Sequence, residues 1–297
     1  MIDSINCESW DGPFGDIIRA QAIEMLEGGA VLLFSALPFL LTNAETSVVC
    51  AAGLDGSAKN ISLDPVTHQC KGSSLTGAEL ETMIGLLKRF ASCATTLVEG
   101  LFPAYAEGLS CARTSFRPVE IADRRTSWRQ DDKRLHVDAF PSRPMQGRRI
   151  LRVFTNIDPD GAPRRWRIGP TFEAYAQQFL PSLPRANPGK TWLLEHLGLT
   201  KGRRSRYDEI MLFLHDAAKR DLDWQRGTPA DDVKFGSGCT WIVFTDQVPH
   251  AAIAGRNALE QTFYIDPAVL ARPETAPLAI LGRLCGTVMT TSKGLTA

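Results

Sequence analysis

Residues 133–144 read KRLHVDAFPSRP, and His136-Val137-Asp138 within them decides how the rest of the chain is read. In an extended strand, residues i and i+2 point to the same face. His136 and Asp138 therefore converge as an imidazole and a carboxylate, with Leu135 and Val137 on the other side. Two ligands do not make a site, and only five histidines are present from which to draw a third. His68 lies in a loop (DPVTHQC), and His196 and His215 lie in helical stretches (WLLEHLGL, LFLHDAAK) where packed or surface positions are expected. His250 differs. It follows a strong strand, directly after Pro249, and precedes a glycine turn and a final strand. A strand end is where a barrel rim presents a ligand. Two histidines and one carboxylate on one face of a metal form the triad of non-haem Fe(II) oxygenases, with three positions left open.

The bulk composition is that of a soluble globular protein. The chain has 297 residues, 44% apolar and 22% charged, with equal numbers of basic and acidic side chains. Net neutrality argues against a whole-protein nucleic-acid binder. Seven cysteines at 7, 50, 70, 93, 111, 239 and 285 contain no C-x-x-C and read as reduced thiols in a cytosolic protein. The N-terminal MIDSINCESWDG has neither a basic nor an apolar export region. The most apolar run, 28–42, is too short to span a bilayer and reads as a buried strand that turns at Pro38.

Periodicity places a helix over 75–102, where Met83, Leu86, Leu87 and Phe90 recur at helical spacing behind a Thr76/Glu79 capping box. From Arg113 to Ile157 the pattern is mostly extended, and RRILRVFTNID (148–158) is a strand stopped by DPDG. Helical character returns in TFEAYAQQFL, GKTWLLEHLGL and YDEIMLFLHDAAKRD. Strands return at 239–247 and 258–265, joined by VPHAAIAGRN. An α+β protein with a mainly antiparallel sheet or barrel follows, in one domain.

The order H-x-D … H resembles the double-stranded β-helix (jelly-roll, cupin-like) Fe(II)/2-oxoglutarate dioxygenases. More narrowly, LHVDAFPSRPMQGRRILRVFTNIDPDGAPRRWRIG with DQVPHAAIAGRNALEQTFYI resembles the bacterial hydroxylases of 3-deoxy-D-manno-oct-2-ulosonic acid (Kdo). The resemblance implies a single dioxygenase domain over 1–297. Helical support would run over roughly 1–110 and a β-helix core over roughly 111–270, with a helical insert at about 170–225. It implies Fe(II) on His136, Asp138 and His250, 2-oxoglutarate as co-substrate, O2, and hydroxylation at C3 of Kdo on lipid A. Such an enzyme is expected to be cytoplasmic, with at most peripheral contact at the inner membrane and no obligatory protein partner. A dioxygenase acting on another anionic small molecule or on a protein side chain is the alternative.

The far carboxylate of 2-oxoglutarate needs a cation inside the barrel. The superfamily usually places it about ten residues after the distal histidine, and this chain departs from that pattern. Arg256 comes too early. In ALEQTFYI, Gln261 shares a face with Leu259, Phe263 and Ile265, which reads as inward. In RRILRVFTNI, Arg152, Phe154 and Asn156 alternate with Leu151, Val153 and Thr155, and alternation leaves open which set faces the metal. Arg152 and Arg256 are the candidate clamps, and Asn156 and Gln261 are the candidate polar neighbours. The segment 113–167 holds thirteen arginines and one lysine against seven acids. It reads as a cationic rim for anionic ligands, with Arg143, Trp128 and Trp166 as candidate substrate contacts.

Overall fold

The computed structural model describes residues 1–56, 58–124, 126–184 and 204–289. Its centre is a mostly antiparallel sheet in which the two strands read most directly from the sequence lie side by side. These are β6 (Arg149–Asn156) and β11 (Ala258–Ile265), paired so that Arg152 faces Thr262 and Phe154 faces Glu260. β9 (Thr240–Phe244) flanks β6, and β5 (Leu109–Arg117) flanks β11. The sheet is extended by β1 (Ile2–Ser4) and β2 (Val31–Phe34) beyond β9, and by β3 (Ile61–Leu63) and β4 (Cys70–Lys71) beyond β5. The first third of the chain is therefore not only helical support, since it supplies four strands. β2 ends at Phe34 and the chain turns at residues 35–36, earlier than the turn at Pro38 expected from the apolar run 28–42.

A second sheet of three strands closes the jelly roll. Its order is β10 (His250–Ala254), β7 (Arg164–Ile168) and β8 (Asp231–Phe235). VPHAAIAGRN is thus not a simple connection: HAAIA is a strand paired with β7. Alanine has little intrinsic preference for strands, and here the partner β7 imposes the conformation.

Alternation splits the central sheet into two faces. Leu151, Val153, Leu259, Phe263, Ile265 and Phe244 pack on α1 (Asp16–Glu27), α2 (Asn43–Ala51) and the long α3 (Gly77–Leu101). The opposite face carries Phe154, Trp241 and Val243 against Trp166, Ile168, Val233 and Phe235 of the second sheet. Phe235 stacks on Trp241 at 4.1 Å, Phe154 stacks on it at 5.2 Å, and Trp166 meets Trp241 edge-on. Each such ring pair adds roughly 0.5–1.5 kcal/mol beyond its buried area.

Thr76 is the N-cap of α3, but its hydroxyl makes no capping bond. The next residue, Gly77, enters the helix at φ 55°, a path open to glycine and different from that of a capping box. Complete boxes form instead at Thr42/Glu45 and Ser205/Asp208. The helical part after β7 contains α4 (Phe172–Phe179), α5 (Arg206–Arg220) and α6 (Leu222–Gly227), and α7 (Pro277–Cys285) follows the last strand. α4, α5 and α7 share a separate apolar cluster that includes Val137 of the H-x-D segment. The expected helix GKTWLLEHLGL, with His196, lies outside the described residues. No helix among the described residues is long and apolar enough to cross a membrane.

Candidate metal centre

His136 and His250 are brought opposite one another by a short antiparallel bridge outside the named ladders. The His136 amide donates to the His250 carbonyl at 3.1 Å, and the His250 amide donates to the His136 carbonyl at 2.9 Å. Two residues on, the Asp138 amide donates to the Thr245 carbonyl at 2.8 Å. One ligand atom from each of the three side chains can be chosen so that all lie within 4.8 Å of one another. The i, i+2 reading of His136 and Asp138 holds, with His136 Nε2 3.7 Å from Asp138 Oδ1.

Backbone carbonyls fix the protonation pattern of both imidazoles. His136 Nδ1 lies 2.7 Å from the Arg134 carbonyl, and His250 Nδ1 lies 2.8 Å from the Val248 carbonyl. A carbonyl only accepts, so each Nδ1 carries the proton and each Nε2 keeps its lone pair. Trp166 stacks on His250 at 5.2 Å and an interplanar angle of 23°, which fixes that ring's plane. Burial, and next the nearby Lys219 cation, push the His136 pKa well below its ordinary value; burial also lowers that of His250. Burial opposes ionisation of Asp138, yet the Arg152 guanidinium outweighs it and holds the carboxyl below its usual range. Two neutral imidazoles and one carboxylate are the donor set that a divalent iron takes.

Helix α5 locks this segment at both ends. Asp208 closes the helix N-terminus with Ser205, and its other oxygen accepts the amides of Met145 (2.7 Å) and Gln146 (2.9 Å), downstream of Asp138. At the C-terminus, Arg134 Nη1 donates to the Lys219 carbonyl at 2.6 Å. Gln225 of α6 accepts the Leu135 amide at 2.8 Å and donates to the carbonyls of Leu135 and Ala218 at 2.9 Å each. Gln225→Ala strips partners from three buried backbone groups. It is expected to destabilise the fold by about 2–4 kcal/mol and to weaken metal binding by roughly tenfold, read by thermal melts and metal titration.

The neutral histidines also predict an acid sensitivity. Their folded pKa values lie below the unfolded value of about 6.5. The unfolded chain therefore takes up protons that the folded metal-free protein refuses. This contribution to stability is complete above that pH and is lost as the pH falls below it. The melting temperature of chelator-treated protein should drop between pH 7 and pH 5. A variant lacking both imidazoles should show a shallower drop.

The other predicted residues separate. Arg152 reaches the centre: its Nη2 is 2.8 Å from Asp138 Oδ2, and its Nη1 donates to Glu260 Oε1 at 2.6 Å. The contact to Asp138 is an ion pair, not an aligned hydrogen bond, and leaves that carboxylate oxygen without a hydrogen-bond donor. Arg256 does not reach the centre, because it pairs with Asp158 and Asp160 at the turn after β6. Gln261 faces the helical layer, bonded to Thr114 Oγ1 and the Ala112 carbonyl. Its apolar face is buried against helices, and the more polar face bearing Glu260 lines the barrel. Asn156 is spent on the carbonyls of Ala162 and Phe235 and holds a turn.

The basic run is not a uniform rim. Arg149 and Arg164 are fully buried, and Arg117 and Arg152 point inward to Glu260. Arg113, Arg129, Arg143 and Arg165 are exposed. Arg143 donates to the Tyr264 hydroxyl at 3.3 Å, and Trp128 lies between Arg129 and Arg220 at 4.7 and 4.9 Å. Trp166 belongs to the barrel interior and not to an outer sugar wall.

Glu260, Gln225, Lys219 and His215 escaped the sequence reading. His215 stands edge-on to His136 at 5.3 Å, and its Nδ1 is 3.0 Å from Asp216. The one legible hint was Glu260, an acid within an apolar strand, alternating with Gln261.

These findings agree with comparisons to known proteins. The sequence matches the 3-deoxy-D-manno-oct-2-ulosonic acid (Kdo) hydroxylase family over residues 10–288. The crystal structure of the Kdo hydroxylase KdoO, a non-heme Fe(II) alpha-ketoglutarate dependent dioxygenase, with alpha-ketoglutarate and Fe(III) is similar at 46% identity. That comparison covers 98% of each chain with a TM-score of 0.92. The same enzyme with cobalt(II) gives 46% identity and a TM-score of 0.94, covering 100% of this chain and 99% of that one. Comparison with curated protein sequences gives no match. With the family matched over nearly the whole length and the His-Asp-His centre in place, the chain belongs to the Kdo hydroxylase family.

Proposed function

We propose that this protein is an Fe(II)/2-oxoglutarate-dependent dioxygenase that hydroxylates C3 of Kdo in Kdo-lipid A, at the cytoplasmic face of the inner membrane. The observation that carries this reading is the His136-Asp138-His250 set, with both histidines buried and both Nε2 atoms free, in a chain of this family. When bound, iron and 2-oxoglutarate supply the oxidising chemistry that inserts one atom of O2 into a C–H bond, releasing succinate and CO2.

The chain's own residues position and select. His136, Asp138 and His250 would hold the metal through one face, leaving the other open. The barrel beside them contains buried donors without partners among the described residues: Arg152 Nε, Arg164 Nε and Trp166 Nε1. Buried donors without partners are costly and mark where an acceptor belongs. A carboxylate of 2-oxoglutarate seated between Arg152 and Trp166 would accept from both. Glu260 and Arg117 would keep the Arg152 guanidinium in place. The barrel's aromatic residues exclude water from that space.

The test is anaerobic addition of Fe(II) and 2-oxoglutarate, followed by oxygen and Kdo-lipid A. A weak visible metal-to-ligand band and a gain of one oxygen on Kdo are expected. Absence of the band overturns the dioxygenase reading. A band with 2-oxoglutarate turnover but an unmodified Kdo-lipid A overturns the substrate.

A further inference from the structure

Lys219 is a buried ammonium with too few partners. Its side chain lies in the last turn of α5 and is 2% exposed, yet among the described residues its Nζ donates only to the Arg129 carbonyl, at 3.0 Å. An ammonium has three donors, and a buried one normally pairs with a carboxylate. Among the described residues Lys219 forms no ion pair: Asp132, the acid whose charge acts on it most, is engaged by Lys59 and Arg124, each at 3.8 Å. Lys219 lines the same cleft as His136, Asp138 and His215. It is close enough for its charge to act on His136 and for Asp138 to act on it.

Its position is also fixed relative to the metal ligands. The bond from Arg134 to the Lys219 carbonyl and the Gln225 bridge between Ala218 and Leu135 tie this helix turn to the H-x-D segment. A cation held in this way beside a metal centre, with donors to spare, suits one fixed anion on the substrate.

The substrate's chemistry supplies that anion. As a 3-deoxy-2-ulosonic acid, the sugar carries its carboxylate at C1 and its methylene at C3, with a single carbon between them. An anchor for the C1 carboxylate on the wall of the metal cleft therefore also places C3 at the metal. We infer that Lys219 is the positioning residue that binds the C1 carboxylate of the Kdo unit to be hydroxylated. This rests on the Kdo reading above and names the group within that sugar that is recognised. His215, held by Asp216 next to the same ligand, stands beside the seat.

The test compares two probes, Kdo methyl glycoside and its C1 carboxamide, as competitors of Kdo-lipid A hydroxylation. The iron-loaded wild-type enzyme should bind the acid about 10- to 100-fold more tightly than the amide, the worth of one charge-assisted hydrogen bond. In Lys219→Met the ratio should collapse to near one, while the Fe(II)/2-oxoglutarate band persists. Lys219→Gln, which keeps a donor for the Arg129 carbonyl, should behave alike if the methionine variant does not fold. A wild-type ratio near one overturns the inference, as does a wild-type ratio retained in a folded variant. Failure of the underlying reading looks different, as a wild-type protein with no visible band or no hydroxylated Kdo-lipid A.

Discussion

Asp138→Asn should lower hydroxylation by more than 100-fold and leave a folded protein. The amide is nearly isosteric, and the backbone bond from residue 138 to Thr245 is untouched. Arg152 keeps its 2.6 Å bond to Glu260, so no buried cation is stranded. What disappears is the one carboxylate among the three candidate ligands. Changes that merely touch a ligand's partner cost 10- to 100-fold in metal affinity or activity, so removing a ligand charge costs more. The measurements are Kdo hydroxylation, the visible band with Fe(II) and 2-oxoglutarate, and a thermal melt. Loss of the band with a melting temperature near wild type is the expected pair. A variant that keeps both band and activity would falsify the assignment of Asp138.

Arg152→Met should fail in a second manner, losing stability and 2-oxoglutarate together. Its guanidinium stands between the carboxylates of Asp138 and Glu260, all three being largely or wholly buried. Removing one partner of a buried charge cluster leaves the others uncompensated, at a cost of about 3–5 kcal/mol. The two losses can be separated. With Glu260→Gln added, one of the stranded negative charges is gone and the amide still has Arg117 beside it. Much of the stability should return. Binding of 2-oxoglutarate should not, because the donor proposed to meet its carboxylate is absent in both variants. Thermal melts and 2-oxoglutarate titrations of the single and double variants give the two readouts. Full recovery of co-substrate affinity in the double variant would remove Arg152 from the co-substrate site.

The centre was readable because period two is short-range physics. His136 and Asp138 share a face whatever lies elsewhere, and β6 and β11 carry enough β-branched and aromatic residues to declare themselves. The second sheet was not readable. β7, RRWRI, alternates arginines with large apolar residues, and β8 and β10 are short and charged or alanine-rich. Their strand conformation is a product of pairing with each other, a non-local effect.

The face of β11 was misjudged for a related reason. Apolarity alone points a strand face to the barrel interior, but the most apolar face, with Leu259, Phe263 and Ile265, packs against helices. The barrel side carries Glu260 and Thr262, and Arg152 lies opposite across the ladder. A sheet buried on both faces shows two insides, and alternation cannot rank them.

By itself the sequence determined the candidate ligand types, their order and the α+β class, because side-chain chemistry and strand or helix period are local. Only the tertiary structure decided which cation reaches Asp138, which face of the sheet carries that pair, and that Lys219 and Gln225 lie beside the H-x-D segment. Those are outcomes of pairing and burial between segments up to about a hundred residues apart, as in the 108 residues that separate Arg152 from Glu260. No local pattern encodes that meeting; the buried charges found one another because the closed fold left them no water.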